Sequence, residues 1–182
     1  GIIMRFLALA VALLLLPLAA EAQETRFLRI GTGGQSGTYF PIGGLIAQAI
    51  SEVPRGANCA AERCGVPGLV AVAQISNGSV ANSAALQAGE IEAALVQADV
   101  AHWAFEGKEI YAGKPKHDRL RFLAHLYSEA MHAVVRKQAG IGGIGDLKGR
   151  ALALDEPGSG TLVHVRNLLG AYGLSETDIR GG

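Results

Sequence analysis

The chain has 182 residues, 49% of them hydrophobic and 18% charged, enough to bury one full core or two small ones. The formal net charge is +0, nothing in the sequence suggests the basic stripe that nucleic-acid binding needs, and no nucleic-acid partner is expected. Its 25 glycines gather in short loops, as in an α/β protein with several strand–helix turns.

The first predicted element is for export. Met4-Arg5, the apolar run 6–18 and the small-residue site Ala20-Glu21-Ala22 form a secretory signal over residues 1–22, shorter than the roughly 20 apolar residues of a membrane span. Residues 26–30 then read as an opening strand. They lead into Gly31-Thr32-Gly33-Gly34-Gln35-Ser36-Gly37-Thr38 and a helix over 39–53, with Ile42, Leu45, Ile46, Ala49 and Ile50 at helical spacing. Residues 55–67 are an irregular insertion carrying Cys59 and Cys64, the only cysteines, which in an exported chain are expected to form a local disulfide.

Residues 69–75 read as a second strand and 80–88 as a helix, with Ser79 as its N-cap and Gly89 as its C-cap. Residues 93–96 read as a buried strand, followed by Gln97 and by a helix over 100–106 capped by Asp99. This β-α-β-α-β-α order predicts a parallel sheet with right-handed crossovers, and in such sheets ligands sit outside the carboxyl ends of the strands. Beyond a polar connection at 107–119, strands are expected at 120–127, 131–136 and 151–154. A helical turn is expected near 144–148 and a helix at 161–172 closed by Gly173.

Two stretches carry the chemistry. Gly34-Gln35-Ser36-Gly37-Thr38 and Pro157-Gly158-Ser159-Gly160-Thr161 each join a short apolar run to a helix start. Glycine lets the backbone approach a ligand closely, and the unpaired N–H groups and dipole of a helix N-terminus attract anions. The expected arrangement is therefore two helix N-termini facing one small anion. On the first unit, Gly33, Gly34, Gly37, Thr38 and Tyr39 form the candidate cradle, with donors from Asn77, Gly78 and Ser79 and an amide from Gln97. On the second unit, Gly158, Ser159, Gly160 and Thr161 are the candidates. The five histidines show no metal spacing, so no metal or cofactor is expected.

Taken together, Arg29-Ile30-Gly31-Thr32-Gly33-Gly34, Gly37-Thr38-Tyr39-Phe40-Pro41, Gly78-Ser79-Val80-Ala81-Asn82, Val96-Gln97-Ala98-Asp99-Val100-Ala101, Asp146-Leu147-Lys148-Gly149 and the 157–161 loop resemble, in order, a TAXI-type solute receptor of a TRAP transporter. The resemblance implies an α/β, type II periplasmic-binding-protein-like fold of two hinged lobes with mainly parallel sheets. It also implies capture of a small acidic solute, such as glutamate or another organic acid, for a TRAP membrane permease subunit in the periplasm. Lobe one would span 23–126 and a partial lobe two 127–182; family members run longer, so the second lobe is expected to be incomplete. The cysteine loop resembles a variant found in part of that family.

Two other functions compete. A receptor for an ABC-type importer shares the fold class. An exported nucleotide-binding enzyme is suggested only by Gly31-x-Gly33 with Glu52 some twenty residues on, and Glu52 falls at a helix end and not on a second strand. A serine hydrolase lacks its motif, since neither Ser36 nor Ser159 lies in Gly-x-Ser-x-Gly. The expectation is a binding protein, not an enzyme.

Overall fold

The computed structural model describes residues 25–51 and 64–180. The predicted signal at 1–22 and Cys59 lie outside the described residues, and so does the expected pairing of Cys59 with Cys64.

The fold is mixed α/β, built on an open, all-parallel three-stranded sheet in the order β2-β1-β3. Strand β1 (Arg26–Gly31) lies in the middle. It pairs with β2 (Leu69–Gln74) from Arg26↔Leu69 to Gly31↔Gln74, and with the short β3 (Ala93–Ala94) through Ile30↔Ala93 and Gly31↔Ala94. Helix α1 (Tyr39–Ser51) connects β1 to β2, and α2 (Ser79–Ala88) connects β2 to β3. Helix α3 (Ala98–Glu106) follows β3, and α4 (Gly160–Ala171) comes much later. None of the helices described is long and apolar enough to cross a membrane.

Three apolar clusters hold these elements. The first joins Ile30, Ala47, Ala71 and Leu95, with Leu28, Ile42, Ile46 and Ile50 packed against them. The inward face of α1 therefore runs through Ile42, Gly43, Ile46, Ala47 and Ile50, and Leu45, expected inside, is 62% exposed. Gly43 allows this rotation, because Thr32 Cγ2 occupies the space a Cβ would need. The second cluster, Val100, Ala104 and Tyr111, is flanked by Val80, Val96 and Trp103. The third draws only on residues 141–179: Leu147, Leu169 and Ile179, with Ile144, Leu152 and Val165 around them.

The strands expected at 120–127 and 131–136 do not form, and of that expected at 151–154 only the isolated parallel bridge Ala151↔Arg180 is present. A strand is a pairing and not a local conformation, so apolar segments stay as irregular chain when no neighbour hydrogen-bonds to them. Phe122, Leu123 and Val134 are accordingly 82%, 83% and 88% exposed. The helical turn expected near 144–148 is present as a 3-10 turn, Ile144–Leu147.

Candidate functional site

The carboxyl ends of all three strands are tied together by one side chain. Asn82, on α2, is 1% exposed, and its Nδ2 donates to the carbonyls of Thr32 (2.7 Å) and Leu95 (2.8 Å). Its Oδ1 lies 2.7 Å from Ser76 Oγ, which also lies 2.9 Å from the Thr32 carbonyl and accepts the Gly78 N–H at 3.0 Å. Thr32, Ser76 and Leu95 directly follow or adjoin β1, β2 and β3. Asn82 thus fixes where the three loops that carry candidate residues leave the sheet. Gly31 must be glycine for the same reason, since a Cβ there would meet Asn82 Oδ1 at 2.6 Å.

In the first loop, the Gly37 N–H donates to the Gly34 carbonyl at 2.9 Å, closing a turn, and the Ile42 N–H donates to the Thr38 carbonyl to begin α1. Gly33 is buried, with Tyr39 Cβ 3.5 Å from where its own Cβ would lie, whereas a Cβ on Gly34 would meet nothing within 4 Å. Neither glycine has a positive φ, so backbone geometry does not demand glycine at either position. Thr38 is exposed and Tyr39 half-buried. Burial pushes the Tyr39 phenol well above its ordinary range, against the pull of the neighbouring Ser79 hydroxyl, and its OH reaches Glu129 Oε2 at 3.4 Å.

The second and third loops meet the 157–160 loop. Gly78, at φ 104°, is the N-cap of α2 and has no side chain to offer. Ser79, expected to be that cap, sits inside the first turn, and its Oγ accepts the Gln97 N–H at 3.0 Å. The α2 N-terminus is capped from a distance: the Val80 and Ala81 N–H groups donate to the Gly158 carbonyl at 3.0 and 3.1 Å. Asn77 Nδ2 donates to the Pro157 carbonyl at 2.9 Å. Gly160 lies against Gln97, and a Cβ on it would sit 2.9 Å from Ser79 Oγ. Among the described residues, the Gln97 Oε1 is buried without a hydrogen-bond partner.

Ser159 caps α4, its Oγ accepting the Leu162 N–H at 3.0 Å, and Thr161 is exposed. Asp99 is not the cap of α3, because Gln97, with extended backbone, takes that position. Instead Asp99 Oδ1 accepts the Val100 N–H at 2.8 Å and Oδ2 pairs with His164 Nε2 of α4 at 2.5 Å.

The structure therefore gathers Tyr39, Asn77, Gly78, Ser79, Gln97, Gly158, Ser159 and Gly160 around the start of α2, with Gly33 behind Tyr39. Gly34, Gly37, Thr38 and Thr161 flank helix starts. Sequence reasoning passed over Asn82 and His164. The signal for the first was present: Ser79, Asn82 and Ser83, spaced i, i+3, i+4, are the buried residues of α2, a polar stripe where an apolar one is usual. Among the described residues, open surface hollows lie elsewhere. One, of about 370 Å3, is lined by Arg166, Leu174, Ser175, Glu176 and Thr177; another, of about 240 Å3, by Arg136, Gln138 and Ala139.

Compared with known families, residues 30–181 match the pattern described as the NMT1-like family, which is most of the chain. The chain belongs to the NMT1-like family. This is a family of periplasmic solute-binding proteins. For an NMT1-like chain the natural partner is a small solute and the typical compartment is the periplasm. In the geometry above, the sheet's carboxyl edge is lined by backbone N–H groups, hydroxyls and one amide, with the Val80 and Ala81 N–H groups on the Gly158 carbonyl and the Gln97 N–H on Ser79 Oγ.

Proposed function

We propose that this NMT1-like protein is the solute-binding component of a TAXI-type TRAP transporter, exported behind the signal at 1–22. It captures a small acidic solute, glutamate or another organic acid, and hands it to a membrane permease subunit; it binds and does not catalyse. The observation that carries the reading is the meeting of loops at Ser79. Tyr39 from the first glycine loop, Gln97 from the third strand end and Gly160 from the second glycine loop all come against it. Three helix starts bordering one spot bring several backbone N–H groups together, two of them resting on the Gly158 carbonyl in this structure, with the Asp99 carboxylate paired to His164 and Glu129 on the Tyr39 side. The separate apolar cluster within 141–179 supports a second lobe beginning after residue 126.

The test is thermal melting of the purified chain with L-glutamate and a panel of organic and amino acids. A solute that binds only the folded state adds about 2.7 kcal/mol at a hundred times its Kd. A melting point that stays put for the whole panel overturns the reading.

A further inference from the structure

We propose that the 155–160 loop is a built-in clasp that occupies the α2 N-terminus in place of a solute and is held shut by the Asp99–His164 pair. This rests on the α2 N-terminus being part of the solute site. The first free N–H groups of α2 have no local cap: Gly78 has no side chain, and the Ser79 hydroxyl is engaged with the Gln97 N–H. Both Val80 and Ala81 give their N–H groups to one oxygen, the Gly158 carbonyl, from a residue almost eighty positions away. That oxygen carries the partial negative charge a helix N-terminus favours, and it meets the N–H pair as a carboxylate oxygen of a solute would.

Three further features make the contact a fitted one. Gly158 has φ 95°, a left-handed value that glycine adopts without strain, and a Cβ there would meet Asn77 Cβ at 3.2 Å. Asn77 Nδ2 holds the preceding Pro157 carbonyl. One turn into α4, His164 bonds Asp99 on α3, so the loop is pinned on both sides. The solute and the clasp compete for the same two N–H groups. The apparent affinity for solute is then the intrinsic affinity multiplied by the fraction of molecules with the clasp open.

Amide hydrogen exchange on the chain without solute tests the clasp directly. The Val80 and Ala81 amides exchange slowly, and His164→Ala speeds both about threefold, the size expected for losing a partly exposed hydrogen bond to a carboxylate, while the β1 amides keep their rates. Asp99→Asn is the second variant; it retains an oxygen for the Val100 N–H and removes the charge, and it gives the same selective speeding. Unchanged rates in both variants, or equal speeding throughout β1, overturn the clasp. With L-glutamate as probe, His164→Ala binds about threefold tighter than the native chain. Equal or weaker binding by the variant overturns the competition. If L-glutamate binds neither protein, the acidic-solute reading fails for that probe, and the exchange rates alone decide the clasp.

Discussion

Asn82 uses its whole amide group on backbone and on Ser76, and its three partners stand at three different strand ends. Asn82→Ala strips buried carbonyls of Thr32 and Leu95 of these donors, at a cost of about 3 kcal/mol. Urea unfolding should show a lower midpoint with an unchanged slope, and a midpoint within error of the native one would mean the network does not matter. Gly34 is the opposite case. With open space beside it and no positive φ, Gly34→Ala should shift stability by no more than about 0.5 kcal/mol. If a solute approaches that backbone, the added methyl should nonetheless weaken L-glutamate binding severalfold, which titration calorimetry reads; full affinity would remove Gly34 from the site. The glycine motif was visible in the sequence because glycine has a distinctive reason to be in a turn. Asn82 was harder to see, because a polar residue in a helix ordinarily faces water, and only the company of Ser79 and Ser83 marks this stripe as inward.

At the scale of elements, helices were legible nearly to their ends, because their spacing, caps and terminating glycines are local. Gly89, at φ 76°, closes α2 by donating its N–H to the Leu86 carbonyl, as its place after residue 88 predicts. Caps were misread where the loop geometry was tertiary: Gln97 and Gly78 stand where Asp99 and Ser79 were expected, since those two side chains are drawn off by His164 and by the Gln97 N–H. The strands β1 and β2 were legible because the β-α-β order supplies each with a partner. The segments 120–127 and 131–136 are also rich in apolar residues, but the described residues offer them no partner. For α4, Ser159→Ala removes the side-chain acceptor of the Leu162 N–H and should cost about 1 kcal/mol. Differential scanning calorimetry should record a correspondingly lower melting point, and Ser159→Asp, which keeps an acceptor, should restore it.

For the whole molecule, stability should follow pH in a way set by a few groups. The Arg29 guanidinium and backbone N–H hold the Glu92 carboxyl down to about 2, from an ordinary 4.5. A depressed carboxyl contributes fully above 4.5, and that contribution is lost as pH falls from 4.5 toward 2. The Ser175 N–H and hydroxyl lower Asp178 in the same sense. Burial lowers His117 from its ordinary 6.5, so protonation of the unfolded chain begins to erode stability as pH drops below 6.5. Burial raises Tyr39 and Tyr111, whose contribution is present below 10.0 and lost as pH rises past it. Melting points should therefore be highest between about pH 7 and 9 and fall on both sides. Glu92→Gln should flatten the acid limb between 4.5 and about 2 without moving the alkaline one, and an unaltered acid limb would show that the Arg29 pair contributes nothing.

The bare apolar chain between 120 and 136 has a bearing on handling. Phe122, Leu123, Leu126, Met131, Val134 and Val135 stand in solvent on backbone whose N–H and C=O groups join no ladder among the described residues, where β2 presents Val70 and Val72 at the sheet's edge. Such a stretch is a template for a neighbour's backbone, so concentrated solutions should turn cloudy faster than the melting point alone suggests. Phe122→Lys with Val134→Lys, by interrupting that template with charge, should keep them clear.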